Sequence, residues 1–203
     1  MNPPTSTFSF ISGRAGTGKT FLAKSWAEQD EHATLCSTTG VAAINIGGTT
    51  INALLRYFDT QSMTDAYIQG WIATRLRKLR DDGTQWIILD EVSMFSAPQL
   101  TMLVRAINDV NRTRGTYHPE LRLTVIGDFA QLRPINEPFA FTSSCWPQIA
   151  QHTSVLTEIR RQSEREFIEA LQAVRMGDAA TALDYFGPRL CERPDLHFNG
   201  TTI

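Results

Sequence analysis

The stretch Gly13-Arg14-Ala15-Gly16-Thr17-Gly18-Lys19-Thr20 constrains this chain more than any other, because it needs a strand before it and a helix after it. It reads G-x-x-x-x-G-K-T. The preceding Thr7-Phe8-Ser9-Phe10-Ile11 alternates as a β-strand does, and Phe21-Leu22-Ala23-Lys24-Ser25-Trp26-Ala27 suits a helix. In that setting the glycines let the loop curl until its backbone N–H groups face an anion, and the helix N-terminus adds partial positive charge. The expectation is a nucleotide-phosphate cradle shaped by Gly13, Gly16, Thr17 and Gly18. Lys19 would reach the β- and γ-phosphates, and the Thr20 hydroxyl would ligate Mg²⁺. A chance glycine-rich turn is the alternative; the filled fixed positions and correct flanks weigh against it.

Further apolar runs follow at Ala33–Cys36, Trp86–Leu89, Leu121–Ile126 and Ser154–Leu156. Near-continuous apolar strands are what a parallel sheet covered on both faces requires. Between them lie helical patterns at Phe21–Gln29, Pro98–Asn111 and Glu164–Met176. In the second, Leu100, Leu103, Val104 and Ile107 share one face. Strand alternating with helix predicts an α/β fold, a parallel sheet flanked by helices on both faces. Residues 56–84 break the rhythm and are expected to form a small helical insertion that projects from the sheet. Their Arg75, Arg77, Lys78 and Arg80 fit a solvated helix face, with a DNA-guiding element as the alternative.

Two strand ends carry candidate chemistry. Asp90 and Glu91 follow the apolar Trp86–Leu89, at the strand end where open α/β sheets place their ligands. Asp90 would hold the Mg²⁺, and Glu91 would orient and deprotonate an attacking water. An ordinary acidic cap after a strand is the competing explanation. Gly127-Asp128-Phe129-Ala130-Gln131 follows Leu121–Ile126. There Gln131, which both donates and accepts, can contact the γ-phosphate or the water, unless the segment is simply a polar turn.

Composition adds bounds. The chain has 203 residues, 42% of them hydrophobic, enough for one domain with a full core. A formal net charge of −2 announces no global basic field, although a local basic groove is enough for a nucleic-acid partner. Cys36, Cys145 and Cys191 are widely spaced and read as buried thiols of a reducing compartment. No apolar run is long enough for a membrane span, and Met1–Thr5 has no charged leader. The chain is expected to be soluble and intracellular, in the cytoplasm or with the nucleoid or nucleus.

Taken in order, GRAGTGKT, TTGVAAINIGGTTINALL, DEVSM, GDFAQLRPI and TEIRRQ, then a helix ending in RMGD, resemble the superfamily 1B DNA helicases of the Pif/RecD-like group, which includes Dda-type enzymes. The resemblance runs from about Phe8 to the C-terminus. It implies a RecA-like P-loop NTPase fold, with residues 1–203 forming motor domain 1. ATP and Mg²⁺ would be the cofactors, single-stranded DNA the partner, and a monomer the working unit. Thr38, Thr39 and Gly40 then match the segment between nucleotide and DNA. Thr50 and Asn52 match the next DNA-contacting stretch, and Arg161 matches the arginine that stabilises the γ-phosphate. The group usually carries an adenine-reading glutamine shortly before the phosphate loop; Met1–Phe8 contains none, which leaves adenine selectivity open. Arg133 stands where many relatives have proline.

The implied activity is ATP hydrolysis by one lobe of a 5′→3′ helicase, slow and without unwinding in isolation. The second RecA-like lobe would lie beyond Ile203. The rivals are a stand-alone nucleotide switch and, less well matched, a P-loop kinase. Phe139, Phe141 and Trp146 suit core packing for at least two of the three, with base stacking as the alternative.

Overall fold

The computed structural model describes residues 1–113, 118–158 and 165–187. They fall into two compact units, Met1–Arg160 and Arg161–Ile203. The first is built on six strands: β1 Phe8–Gly13, β2 Ala33–Ser37, β3 Thr49–Thr50, β4 Trp86–Asp90, β5 Arg122–Gly127 and β6 Thr153–Leu156. They pair only in parallel, in the order β3-β2-β4-β5-β1-β6. The helices of this unit are α1 Lys19–Gln29, α2 Gly40–Ile46, α3 Ile51–Leu55, α4 Thr60–Ile68, α5 Trp71–Asp81, α6 Ala97–Arg112 and α7 Trp146–Ala150.

The period-2 alternation of the strands divides the core in two. Phe8, Phe10, Ile87, Leu89, Leu123 and Val125 pack on one face with residues of α3 to α7. Ile11, Trp86, Ile88 and Ile126 pack on the other with Ala23 and Trp26 of α1. Both faces are therefore covered, which is why β4 is buried at every position. Buried hydroxyls are paired rather than stranded: Thr124 Oγ1 meets Ser9 Oγ at 2.8 Å and accepts from Trp86 Nε1 at 2.9 Å, tying β1, β5 and β4 together.

α6 shows how local sequence sets a boundary. Ser96 and Gln99 form a reciprocal capping box, and a proline stands in the first turn. Leu100, Leu103, Val104 and Ile107 are all fully buried, as their spacing predicts.

Residues 56–84 do not project from the sheet. Met63 of α4 and Ile72 and Leu76 of α5 are completely buried in the larger core, where both helices pack against α6. Ile72, Leu76 and Leu79 form a seam at helical spacing that draws the segment down. Arg80 belongs to this packing too. It is buried, and its Nη1 donates to Val110 O at 3.3 Å near the end of α6.

The short β3 depends on a close approach. A Cβ on Gly48 would lie 2.3 Å from the Leu35 carbonyl oxygen of β2, a backbone atom with no rotamer to yield. Gly48→Ala is expected to cost roughly 1–3 kcal/mol, which lowers Tm by about 3–10 °C for a chain of this size. A thermal melt followed by circular dichroism checks this; an unchanged Tm would show that β3 shifts freely.

The second unit contains α8 Arg165–Met176 and α9 Ala179–Phe186, joined through Gly177 with φ 74°. Asp178 caps α9, and the rings of Phe167, Tyr185 and Phe186 pack together.

Candidate functional site: a phosphate loop facing an acidic strand end

The loop after β1 is closed by Thr17, whose N–H and hydroxyl both donate to Arg14 O, at 3.3 and 2.8 Å. Gly16 and Gly18 hold φ angles of 80° and 87°, the left-handed region that glycine enters without a steric penalty. Gly18 is the N-cap of α1 and offers no side-chain cap, so the first-turn N–H groups stay open towards the loop. Lys19 is buried, and its Nζ donates to Gly13 O at 2.7 Å and Arg14 O at 3.0 Å. A cation folded back on loop carbonyls stands where a phosphate's charge would otherwise be met.

Across from it, β4 delivers the acidic pair. Thr20 Oγ1 donates to Asp90 Oδ2 at 2.9 Å, and the Glu91 N–H donates to Asp90 Oδ1 at 2.9 Å. Burial raises the Asp90 pKa above the usual carboxylate range, while the two hydrogen bonds and the Lys19 charge pull it back. Burial also raises Glu91, the charges of Asp90 and Asp128 raise it further, and Lys19 opposes them. Glu91 is a non-glycine residue at φ 58°, and its carbonyl accepts from Thr38 Oγ1 at 3.0 Å. Ser37 Oγ donates to Asp90 O at 3.3 Å. The β2 end thus grips the backbone of both acids from behind.

At the end of β5, the buried Asp128 organises the next turn: its Oδ1 accepts from the Ala130 N–H and its carbonyl from the Gln131 N–H. Gln131 is exposed on that turn. The sequence alone assigns no role to Asp128 in this motif. The available signal was its position, an acid directly after a buried strand, as Asp90 is after β4. Beside the loop, Thr17, Gly18, Phe21, Trp26, Leu156 and Glu158 line an open cleft of about 720 Å³.

The strand ends therefore bring together Gly13, Gly16, Thr17, Gly18, Lys19, Thr20, Asp90 and Glu91. The residues fit a magnesium nucleotide: hydroxyl and carboxylate oxygens are the hard ligands Mg²⁺ takes, and it needs few of them when phosphates complete its shell.

The other candidates lie at the same end of the sheet, but their side chains have local partners. Thr38 holds Glu91, Thr39 Oγ1 caps α2 through Ala42 N, Thr50 Oγ1 caps α3 through Ala53 N, and Asn52 Nδ2 donates to Phe58 O. Gly40 opens α2 with free space around its Cα. Arg161 and Cys191 lie outside the described residues, whereas Cys36 and Cys145 are buried thiols. Phe129, Phe139, Phe141 and Trp146 form one aromatic cluster with Phe10; Trp146 packs against the core, Phe139 is half-buried, and Phe141 is exposed at the cluster's edge, stacked on Phe139. No helix among the described residues is long and apolar enough to cross a membrane.

The AAA domain family matches residues 4–189. The chain belongs to that family. The chain is similar to the ATP-dependent DNA helicase PIF1 of Danio rerio, 34% identical over 178 residues that cover 83% of this chain and 27% of the relative. Homo sapiens PIF1 is 33% identical over 189 residues, with the same coverages of 83% and 27%. Among solved structures, Pif1 helicase from Candida albicans matches with a TM-score of 0.70 at 29% identity, covering 94% of this chain and 46% of that one. A Bacteroides Pif1 in complex with ADP-AlF3 and ssDNA shares the fold, with a TM-score of 0.67 at 23% identity over 92% of this chain and 47% of that one. The chain thus spans about a quarter of the length of the curated relatives it matches and under half of the solved chains. The RecA-like P-loop fold and the superfamily 1B resemblance are both borne out.

Proposed function

We propose that this chain is the ATP-binding and ATP-hydrolysing motor domain of a 5′→3′ DNA helicase that tracks single-stranded DNA. The observation that carries the proposal is the Thr20–Asp90 contact opposite the open loop, with Glu91 next in sequence. The printed names of the relatives, ATP-dependent DNA helicases, support the reaction class. The polarity follows from the superfamily 1B resemblance.

In this arrangement the loop N–H groups and Lys19 would bind the phosphates, and Thr20 and Asp90 would hold the metal ion. Mg²⁺ supplies neutralisation of phosphate charge. Glu91 accepts a proton from the attacking water. Its backbone, fixed by Thr38, aims the carboxylate without using it up. By the family resemblance, Gln131 would contact the γ-phosphate, and Arg161, which lies outside the described residues, is assigned the same role on that ground alone. The cleft beside the loop, lined in part by Phe21, would have room for the base and ribose. Alone, the domain turns ATP over slowly; a second RecA-like lobe completes the cleft and converts hydrolysis into stepping.

The test is steady-state ATP turnover of this chain, and of a form extended to two lobes, with and without oligo(dT). Stimulation by the oligonucleotide in the extended form is the expected result. Tight nucleotide binding with no response to DNA in either form would replace this proposal with a nucleotide switch.

A further inference from the structure

The segment between β3 and β4 carries a surface that the nucleotide site does not use. Leu55, Arg56, Ala66, Trp71, Arg75 and Lys78 line a groove of about 320 Å³. Every charged residue of that lining is a cation, with Lys78 also paired at 3.2 Å to Asp82, an exposed pair that a phosphate can replace. Trp71 is 64% exposed, and the nearby Phe58 is 91% exposed.

The arrangement is ordered. Trp71, Arg75 and Lys78 are spaced by four and then three residues along α5, so they share one face over about 10 Å of helix. Arg75 is pinned, its Nε donating to Leu54 O at 2.9 Å. Arg56 caps the C-terminal end of α3, and Thr50 caps the other end of the same short helix. That Arg75–Leu54 bond joins α5 to α3, whose last residue, Leu55, and C-cap, Arg56, both line the groove. The groove is therefore continuous with the β3–α3 stretch assigned to DNA above.

We propose that this groove is a single-stranded DNA contact in which a base stacks on Trp71 and backbone phosphates lie against Arg56, Arg75 and Lys78. Aromatic faces interleaved with cations are how proteins hold single strands without reading sequence, and the all-cationic lining complements a phosphate chain. This inference rests on the DNA reading of the proposed function and extends the strand's path onto α5, beyond the motif residues.

The test titrates the full chain with an oligo(dT) of about 12 nucleotides, a length in the usual site-size range. Anisotropy of the labelled oligonucleotide reports affinity, and tryptophan emission reports stacking. Trp26 and Trp86 are buried and Trp146 is partly buried in the aromatic cluster, so the part of the quench that disappears in Trp71→Phe is the part due to Trp71. Emission is expected to fall as DNA binds. Trp71→Phe should lose most of the quench while keeping affinity, and Trp71→Ala should bind roughly tenfold more weakly, as loss of one stacked base requires. Lys78→Ala should make the plot of log affinity against log salt shallower by about 0.7, one phosphate contact on a single strand. DNA binding with unchanged affinity in Trp71→Ala and an unchanged slope in Lys78→Ala overturns the groove and leaves the DNA reading standing. No oligonucleotide binding at all sinks the DNA reading and this inference with it. A polyglutamate peptide that quenches emission where oligo(dT) does not would give the groove to an acidic protein segment and also overturn the proposal.

Discussion

Glu91→Gln is expected to lower ATP turnover by about 10²–10⁴-fold, the usual worth of a positioned general base, while nucleotide affinity stays near the parent value. The amide matches the carboxylate in shape, so Thr38 can still hold the backbone and Asp90 can still accept the residue's N–H. What disappears is the site that takes the water's proton. The environment of Glu91 gives a second readout. Burial and the charges of Asp90 and Asp128 raise its pKa, and only the ionised form can act as base. Turnover should therefore climb with pH through a window above the ordinary carboxylate range, then level off. Rates at saturating ATP from about pH 5 to pH 8 would show the climb. An enzyme with Gln at this position that hydrolyses ATP at the parent rate would remove Glu91 from the role.

Lys19→Ala should weaken nucleotide binding by about 10²–10⁴-fold. Charge-assisted hydrogen bonds contribute about 1.5–3 kcal/mol each, and the ammonium that now bonds Gly13 O and Arg14 O has two donors placed to move to phosphate oxygens. Its removal acts on the acids as well. Lys19 is the cation that lowers the pKa of both Asp90 and Glu91, so the variant should hold their protons to still higher pH. Titration with a fluorescent ATP analogue measures the loss, and a thermal melt confirms that the loop variant is folded. Affinity within about threefold of the parent, a difference well under 1 kcal/mol, would mean that the loop N–H groups alone hold the phosphates.

The sequence made some parts of this molecule readable because their signals are local. The phosphate loop needs only neighbouring residues, and the alternation in β1 and β4 assigns each side chain to a face without knowledge of the partner helix. The α6 seam was legible for the same reason. β3 was not, being two residues long and fixed by the approach of Gly48 to β2. The packing of residues 56–84 was hidden behind charge. Arg75, Arg77, Lys78 and Arg80 suggest a wet helix, while Ile72, Leu76 and Leu79 sit between them and go inward. Arg80 itself is buried because a carbonyl on α6, thirty residues on, accepts its proton. The Thr38–Glu91 bond joins residues 53 apart, and no periodicity or motif spacing announces such a pairing.

The strand order has a consequence for how the chain is made. β1 lies between β5 and β6, and its partner positions Ser9 and Thr124 are 115 residues apart. At translation speeds of about 5–20 residues per second, the neighbours of β1 leave the ribosome roughly 6–23 seconds after it does. For that interval Phe8, Phe10 and Ile11 have no sheet to enter, and the loop they later support has no strand to hold its shape. Made before every other strand of this sheet, β1 is thus among the last to be housed. Until those neighbours arrive, this apolar strand is open to chaperones, or to other unfinished chains, well before the domain can bind any nucleotide.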